Sequence, residues 1–224
     1  MESIRSHPHR GFTLIELLVV LAIIIVVMAI VFTSQSSFNK TLTLTNTAYD
    51  VALTFRFAET YGLGSRAFGT AANTGYGLHF TSGTPGSFVL FADTYPPVGS
   101  GSPPLCHLPP SYAPTGPSAE SGNCVYDAGQ GEKVQDYLLG NGITIEKFCA
   151  EASGFWKCST SGINSLDVVF SRPNPTPFMS ENGSYSPLSP VTAACLELTS
   201  PQGGSKYVTV AASGEISANA PSCP

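Results

Sequence analysis

Hydrophobic residues are unevenly distributed along this chain, and the longest apolar run lies close to its start. From Leu14 to Phe32 every residue except Glu16 is apolar. A helix of this length extends about 28 Å, close to the roughly 30 Å hydrocarbon core of a bilayer. The pattern therefore predicts a membrane-spanning helix, which we place at residues 12–32.

The residues before this run set its expected orientation and processing. Residues 1–11 are polar and include Arg5 and Arg10, and basic residues before a span favour a cytoplasmic N-terminus. The remainder of the chain is then expected outside the cytoplasm. A secretory signal peptide has a shorter apolar region followed by a small-residue cleavage site, and residues 31–35 offer no such site. Cleavage at Gly11 would instead leave the apolar helix on the mature protein.

Beyond the apolar run, the chain becomes polar without a helix breaker, because residues 33–61 contain neither Pro nor Gly. We predict one long helix over residues 12–62, ended by Gly62 and Gly64. Its second half has apolar positions at mostly helical spacing and is expected to dock on the rest of the protein. These positions are Phe38, Leu42, Tyr49, Ala52 and Phe55, with a second overlapping track through Ala48.

From residue 65 onward, short apolar segments alternate with turn residues, which is typical of strands. Strands are predicted at 76–80, 87–91, 142–148, 166–170, 195–199, 207–210 and 213–216. The eight prolines in residues 95–123 predict a long loop. The expected fold class is α+β, with a β-rich domain at residues 63–224. Its antiparallel sheet would cover the C-terminal half of the long helix.

The charge of the chain argues against a nucleic-acid partner. Charged residues make up only 11% of the chain, and the formal net charge is −5. A mildly acidic protein of this kind lacks the basic surface that neutralises phosphates. No nucleic-acid partner is therefore predicted.

The six cysteines all follow the apolar run, at Cys106, Cys124, Cys149, Cys158, Cys195 and Cys223. An even number of cysteines in an exported segment predicts disulfides and an oxidising compartment. A metal site would need clustered ligands such as C-x-x-C, which the sequence lacks, so no metal or cofactor is predicted. Fifteen pairings are possible. The first expectation is Cys149–Cys158 across a turn at Gly154, Cys106–Cys124 around the proline-rich loop, and Cys195–Cys223.

Glu16 is the only charged residue in the apolar run. A carboxylate inside a spanning helix is costly and marks a function by default. One interpretation places it at the membrane edge, where it reaches the headgroups. In the other, cleavage after Gly11 gives Phe12 a new α-amino group four residues from Glu16. The carboxylate of one subunit would then pair with the amine of a neighbour where apolar helices bundle.

The segment from Gly11 to Val20, Gly-Phe-Thr-Leu-Ile-Glu-Leu-Leu-Val-Val, closely resembles the prepilin cleavage and methylation signature of type IV pilins and type II secretion pseudopilins. In that family a prepilin peptidase cuts after the glycine and methylates the new N-terminal residue. By resemblance, Gly11 ends the leader, Phe12 is N-methylated and Glu16 is the assembly carboxylate. The resemblance also implies a pilin-like fold, residence in the bacterial inner membrane, and assembly with other subunits through the N-terminal helices.

The rest of the chain resembles, in the order of its segments, the H-type minor pseudopilins and their pilus counterparts. The segments that carry this resemblance are 77–80, 88–93, 169–173 and 208–214. It implies a minor subunit of a secretion or pilus filament. Two alternatives are a binding module at the filament tip, using the proline-rich loop, and a single-pass anchored β domain that never polymerises.

Sequence motifs of catalysis are weak, so an enzyme is not predicted. The two histidines after the leader, His79 and His107, have no carboxylate or cysteine at ligand spacing. Ser37 and Lys40 match the S-x-x-K of penicillin-binding enzymes, but the Ser-Asp-Asn and Lys-Thr-Gly partner motifs are absent.

Overall fold

The structure is a computed structural model that describes residues 11–64, 66–72, 74–97 and 121–224, with only the backbone described at 33–40. The chain divides into two compact units, one ending at Thr41 and the other running from Leu42 to Pro224. The first unit holds the apolar half of a helix. The second holds the other half of that helix together with the strands.

The helix, α1, spans Leu14–Leu63 without interruption. Its second half is rich in threonine, a residue of modest helix propensity. Three threonine hydroxyls there donate hydrogen bonds to the carbonyl oxygens one turn earlier, which satisfies them within the helix. These bonds join Thr47 to Thr43 at 3.0 Å, Thr54 to Asp50 at 2.8 Å and Thr60 to Arg56 at 2.8 Å.

The buried face of this half-helix agrees only in part with the predicted one, because Ala48 and Phe55 are buried as expected and Ala52 packs against the core. Leu42 and Tyr49, which we expected in the docking face, are 43% and 56% exposed. The buried positions follow a three- and four-residue spacing through Leu44, Ala48, Val51, Phe55 and Ala58, of which Leu44, Val51 and Ala58 were not predicted. Leu42 and Tyr49 also have helical spacing, and spacing alone does not show which of two overlapping tracks faces the interior.

Ten strands occur in the described part of the chain. They are β1 Gly75–Thr81, β2 Ser87–Asp93, β3 Lys133–Leu138, β4 Thr144–Ala152, β5 Phe155–Cys158, β6 Ser165–Phe170, β7 Phe178–Glu181, β8 Val191–Thr199, β9 Ser205–Ala211 and β10 Ile216–Ala220. Every pairing is antiparallel. The α+β class is therefore confirmed.

The strands form two sheets, not the single sheet that the sequence predicted. Sheet 1 has the order β3-β2-β1-β6-β7, and sheet 2 has the order β10-β9-β8-β4-β5. The three strands missed by the prediction, β3, β5 and β7, all lie at sheet edges. An edge strand can be short and partly solvated on both faces, so it lacks the alternation that identifies an internal strand.

The hairpins predicted from turn residues are present. β1 and β2 pair directly across the turn that contains Pro85, and β8 and β9 pair across the turn that contains Pro201. In the second turn, the Gly203 amide donates to the Ser200 carbonyl at 2.9 Å.

The second unit has one large buried cluster with side chains from α1 and from both sheets. Two aromatic contacts connect α1 with β1: the ring centroids of Phe55 and Phe80 lie 5.8 Å apart, and those of Tyr61 and Tyr76 lie 5.5 Å apart. A smaller cluster, containing Phe91 and Val169, lies on the other face of sheet 1.

Candidate processing and assembly segment

The chain enters α1 through a hydrogen-bonded cap at Thr13. The Glu16 amide donates to Thr13 Oγ1 at 3.3 Å, and the Leu17 amide donates to the Thr13 carbonyl at 3.2 Å. A threonine followed by glutamate three residues later is the sequence pattern of a capping box. This role of Thr13 was not predicted from the sequence, although the Thr-Leu-Ile-Glu spacing contains its signal.

The peptide bond between Gly11 and Phe12 lies just before this cap, outside regular structure. Phe12 is 83% exposed, and no other part of the described chain comes within 4 Å of the position that a Gly11 Cβ would take. A peptidase needs a locally unstructured and accessible bond, and this bond has both properties. Residues 1–10 lie outside the described residues.

Glu16 lies in the first turn of α1 and is exposed. A carboxylate in this position is favoured by the unpaired amides and positive dipole end of the helix. Within the described residues, no side chain pairs with this carboxylate. The group is therefore sterically open to an intermolecular partner.

The segment Leu14–Phe32 is long and apolar enough to cross a membrane, judged by length and composition. None of it is buried within the chain. Its aliphatic side chains therefore require lipid or other helices as their surroundings.

These features coincide with a known sequence family. Residues 6–32 match the family model described as the prokaryotic N-terminal methylation motif. The chain carries the N-terminal methylation motif of pilins and pseudopilins. The motif implies processing by a prepilin peptidase, assembly with other pilins, a structural subunit, and a single-pass membrane anchor. Comparison with curated proteins and with solved structures gives no significant match.

Two of the expected disulfides are present, Cys149–Cys158 and Cys195–Cys223. Cys124 is also disulfide-bonded. Cys106 lies outside the described residues, as do His107 and most of the proline-rich loop, so the Cys106–Cys124 pairing stays a prediction. The side chains of Ser37 and Lys40 are likewise not described. In the described ranges, no group of three or more His, Cys, Asp or Glu residues could hold a metal ion.

His79, which the sequence analysis took to be isolated, pairs with Asp167. The two residues are register partners on β1 and β6, and His79 Nδ1 lies 2.6 Å from Asp167 Oδ1. The Asp167 side chain is fully buried, and burial raises the pKa of its carboxyl, an effect that the hydrogen bond to His79 opposes. The imidazole also packs on the Tyr126 ring at 4.8 Å. Sequence spacing could not reveal the pair, because 88 residues separate its members.

A buried glutamate, Glu132, links the start of the proline-rich segment to Asp127 just beyond its end, and this role was not predicted from the sequence. Its Oε1 accepts hydrogen bonds from the amides of Thr94 and Tyr95 at 2.8 and 2.7 Å. Its Oε2 accepts from the Asp127 amide at 2.8 Å. Burial and the nearby Asp93 carboxylate raise the pKa of Glu132 to about 7, with burial the larger cause, while the three amides act in the opposite direction.

Asp93 holds the returning end of the same segment. Its two oxygens accept hydrogen bonds from the amides of Asn123 and Cys124 at 2.9 and 2.8 Å. Gly122 lies so close that a Cβ there would come 2.5 Å from the Asp93 carboxylate, and its φ of 111° also favours glycine. The two acids satisfy backbone amides that would otherwise be buried without partners.

Proposed function

We propose that this chain is a pilin or pseudopilin subunit of a type IV pilus or type II secretion filament. Prepilin peptidase cuts between Gly11 and Phe12 and methylates the Phe12 amine. The N-terminus faces the cytoplasm, and the domain at residues 63–224 lies outside it. The observation that carries this proposal is the methylation motif at residues 6–32, which adjoins an accessible bond and a capped apolar helix.

In the proposed assembly, the Glu16 carboxylate pairs with the Phe12 amine of a neighbouring subunit. Two observations support this pairing: the carboxylate is exposed in the first helical turn, and the surrounding apolar side chains have no cover within the chain. In lipid, helices associate through packing and polar pairing. An ion pair at one level of the bundle would set the axial register of the subunits.

We further propose a pilin-like arrangement in which the second half of α1 docks on the β-rich domain. The buried stripe from Leu44 to Ala58 and the contact of Phe55 with Phe80 support it. This docking would fix the exported domain to the filament helix.

The finer assignment is a minor subunit of the H-type. Its support is that the segments of the resemblance fall largely in strands: 77–80 in β1, 88–93 in β2, and parts of 169–173 and 208–214 in β6 and β9.

Mass spectrometry of the mature N-terminus from cells tests the processing step. We expect a chain that begins with methylated Phe12. A chain that retains Met1, or one that begins beyond Phe32, would overturn the proposal.

Assembly is tested separately with Glu16→Ala and a photo-cross-linking residue at Val20. We expect normal cleavage and loss of cross-links to other subunits. Because the cap uses the Glu16 amide and the Thr13 hydroxyl, the substitution leaves the cap bond in place. Thr13→Ser, which keeps the hydroxyl, is the matched control and should assemble normally. Unchanged cross-linking in Glu16→Ala would exclude the ion pair.

A further inference from the structure

Three cysteines lie side by side across three neighbouring strands of sheet 2. Cys149 on β4 is the register partner of Cys158 on β5 and also of Cys195 on β8. Directly opposite residues in antiparallel strands place their side chains on the same face. The three sulfurs therefore belong to one row, with Cys149 in the middle.

The existing disulfides use only one of the two possible bonds within this row. Cys149 is bonded to Cys158, whereas Cys195 is bonded to Cys223 in the C-terminal tail. Opposite residues of antiparallel strands have Cα atoms about 4.5–5.5 Å apart. This distance lies within the usual disulfide range of about 4.4–6.8 Å. A Cys149–Cys195 bond is therefore compatible with the strand pairing as it stands.

The three cysteines also lie in the order that thiol–disulfide exchange requires. A thiolate exchanges by attacking one sulfur of a disulfide while the other leaves. Cys195 approaches Cys149 from the β8 side, and Cys158 lies on the opposite, β5 side. Attack and departure are thus arranged along the same line across the sheet.

The C-terminal tail carries Cys223 and also contacts the Cys149–Cys158 bond. The Pro224 carbonyl oxygen accepts a hydrogen bond from Lys147 Nζ at 2.9 Å and lies 4.0 and 3.9 Å from the sulfurs of Cys149 and Cys158. Cys149 and Cys195 are fully buried, whereas Cys158 and Cys223 are partly exposed. An external thiol therefore reaches the outer sulfurs, Cys223 and Cys158, before it reaches the central cysteine, and attack at Cys223 is the route that frees Cys195.

We propose that Cys149 is the centre of a redox-sensitive disulfide switch that passes between Cys158 and Cys195. An external dithiol attacks Cys223 Sγ, forms a mixed disulfide there, and releases the Cys195 thiolate. Cys195 then attacks Cys149 Sγ, and Cys158 leaves as a thiolate that takes a proton from water.

The second thiol of the reagent resolves the mixed disulfide and leaves as a cyclic disulfide. In total the protein loses one disulfide and gains two thiols, at Cys158 and Cys223, while the dithiol is oxidised. The product holds β4 to β8 and releases both the tail and the β5 edge. This inference is independent of the pilin assignment, since it depends on the register of sheet 2 and on its two disulfides.

Three variants of the full chain in detergent test the switch by peptide mapping after alkylation of free thiols. In Cys223→Ser, we expect most molecules to carry Cys149–Cys195 with Cys158 alkylated. In Cys158→Ser, the same bond should form with Cys223 alkylated. The double variant Cys158→Ser/Cys223→Ser should form Cys149–Cys195 directly on oxidation.

The unaltered chain treated with limiting dithiothreitol provides the test without substitution. We expect a partly reduced species with Cys149–Cys195 intact and with Cys158 and Cys223 alkylated. A species that keeps Cys149–Cys158 and has Cys195 and Cys223 alkylated would overturn the proposal. A double variant that stays a dithiol under oxidation, with the tryptophan fluorescence of the unaltered chain, would do the same.

Discussion

Gly62 in the last turn of α1 lies directly against the carbonyl oxygen of Phe170 at the end of β6, with no side chain between the two backbones. Gly62 is buried, and any Cβ there would overlap the oxygen. Glycine inside a helix costs about 1 kcal/mol relative to alanine. The close approach explains why the chain has glycine at this position while still helical.

We therefore expect Gly62→Ala to destabilise the unit at residues 42–224, although alanine is the better helix former. Displacing packed backbone costs about 1–3 kcal/mol. Urea unfolding of the full chain in detergent, followed by fluorescence of the single tryptophan, Trp156, measures this change. The control is Gly129→Ala, because no atom lies within 4 Å of its Cβ position. Equal stability of the two variants would contradict the close contact.

The contribution of the buried helix face is tested by two residues of α1 that are only two positions apart. Phe55 is 1% exposed and Leu53 is 50% exposed. Because truncating a buried phenylalanine costs about 3–5 kcal/mol, we expect Phe55→Ala to lower the free energy of unfolding by that amount. Leu53→Ala should change it by about 0.5 kcal/mol or less. Comparable losses in both variants would show that α1 buries a different face.

Some features of this structure could be predicted from the sequence, and others could not. The apolar run and the Gly-Phe-Thr-Leu-Ile-Glu segment could be identified because their signals are local and continuous. The face of the amphipathic half-helix was predicted only in part: Ala48 and Phe55 are buried as expected, but only tertiary packing distinguishes Leu44 from Leu42. Edge strands such as β3 were not predicted for a related reason. An edge strand has a neighbouring strand on only one side, so its residues need not alternate regularly between buried and exposed positions.

The missed polar contacts have a different cause. His79 and Asp167 meet only because β1 and β6 are neighbours in sheet 1, and sequence distance carries no signal for this. Glu132 follows a Gly-Gln-Gly segment and resembles any surface acid, yet it is completely buried. The disulfides were easier to predict, because a nine-residue separation between Cys149 and Cys158 with Gly154 between them indicates a hairpin.

The His79–Asp167 pair gives a prediction about polar burial. His79→Ala removes the side-chain hydrogen-bond partner of the fully buried Asp167 carboxyl and leaves only its backbone hydrogen bond with Tyr126. A buried polar group that loses its partner costs about 1–3 kcal/mol, so we expect the free energy of unfolding to fall by this amount. Asp167→Ala in the same background should add much less than it does alone, because the partner is already absent.

The exposed pair Lys133–Asp136 is the matched control for this cycle. Its nitrogen and oxygen lie 2.9 Å apart, but both side chains are about half exposed. Exposed pairs contribute little, typically below about 1 kcal/mol. Strict additivity of the His79 and Asp167 substitutions would contradict a direct interaction.

The last prediction concerns the dependence of stability on pH through Glu132. Its pKa in the folded chain is about 7, against a usual value of 4.5, so between these values the folded state binds more protons than the unfolded state. The stabilisation from this group is therefore fully present below pH 4.5 and is lost as the pH rises through 7. The full difference is on the order of 3 kcal/mol, at about 1.4 kcal/mol per pKa unit.

We expect Glu132→Gln to flatten this part of the stability profile, because glutamine keeps one acceptor oxygen and does not titrate. Urea unfolding of the full chain at intervals between pH 4.5 and 8 measures the slope in each variant. Asp136→Asn removes an exposed carboxylate from the neighbouring strand β3 and should keep the slope of the unaltered chain. The slope must be judged as a difference between variants, because the buried Asp167 carboxyl also has a raised pKa and titrates in the same direction. If Glu132→Gln and the unaltered chain showed the same slope, Glu132 would be ionised throughout this range, and the three amide hydrogen bonds would outweigh its burial.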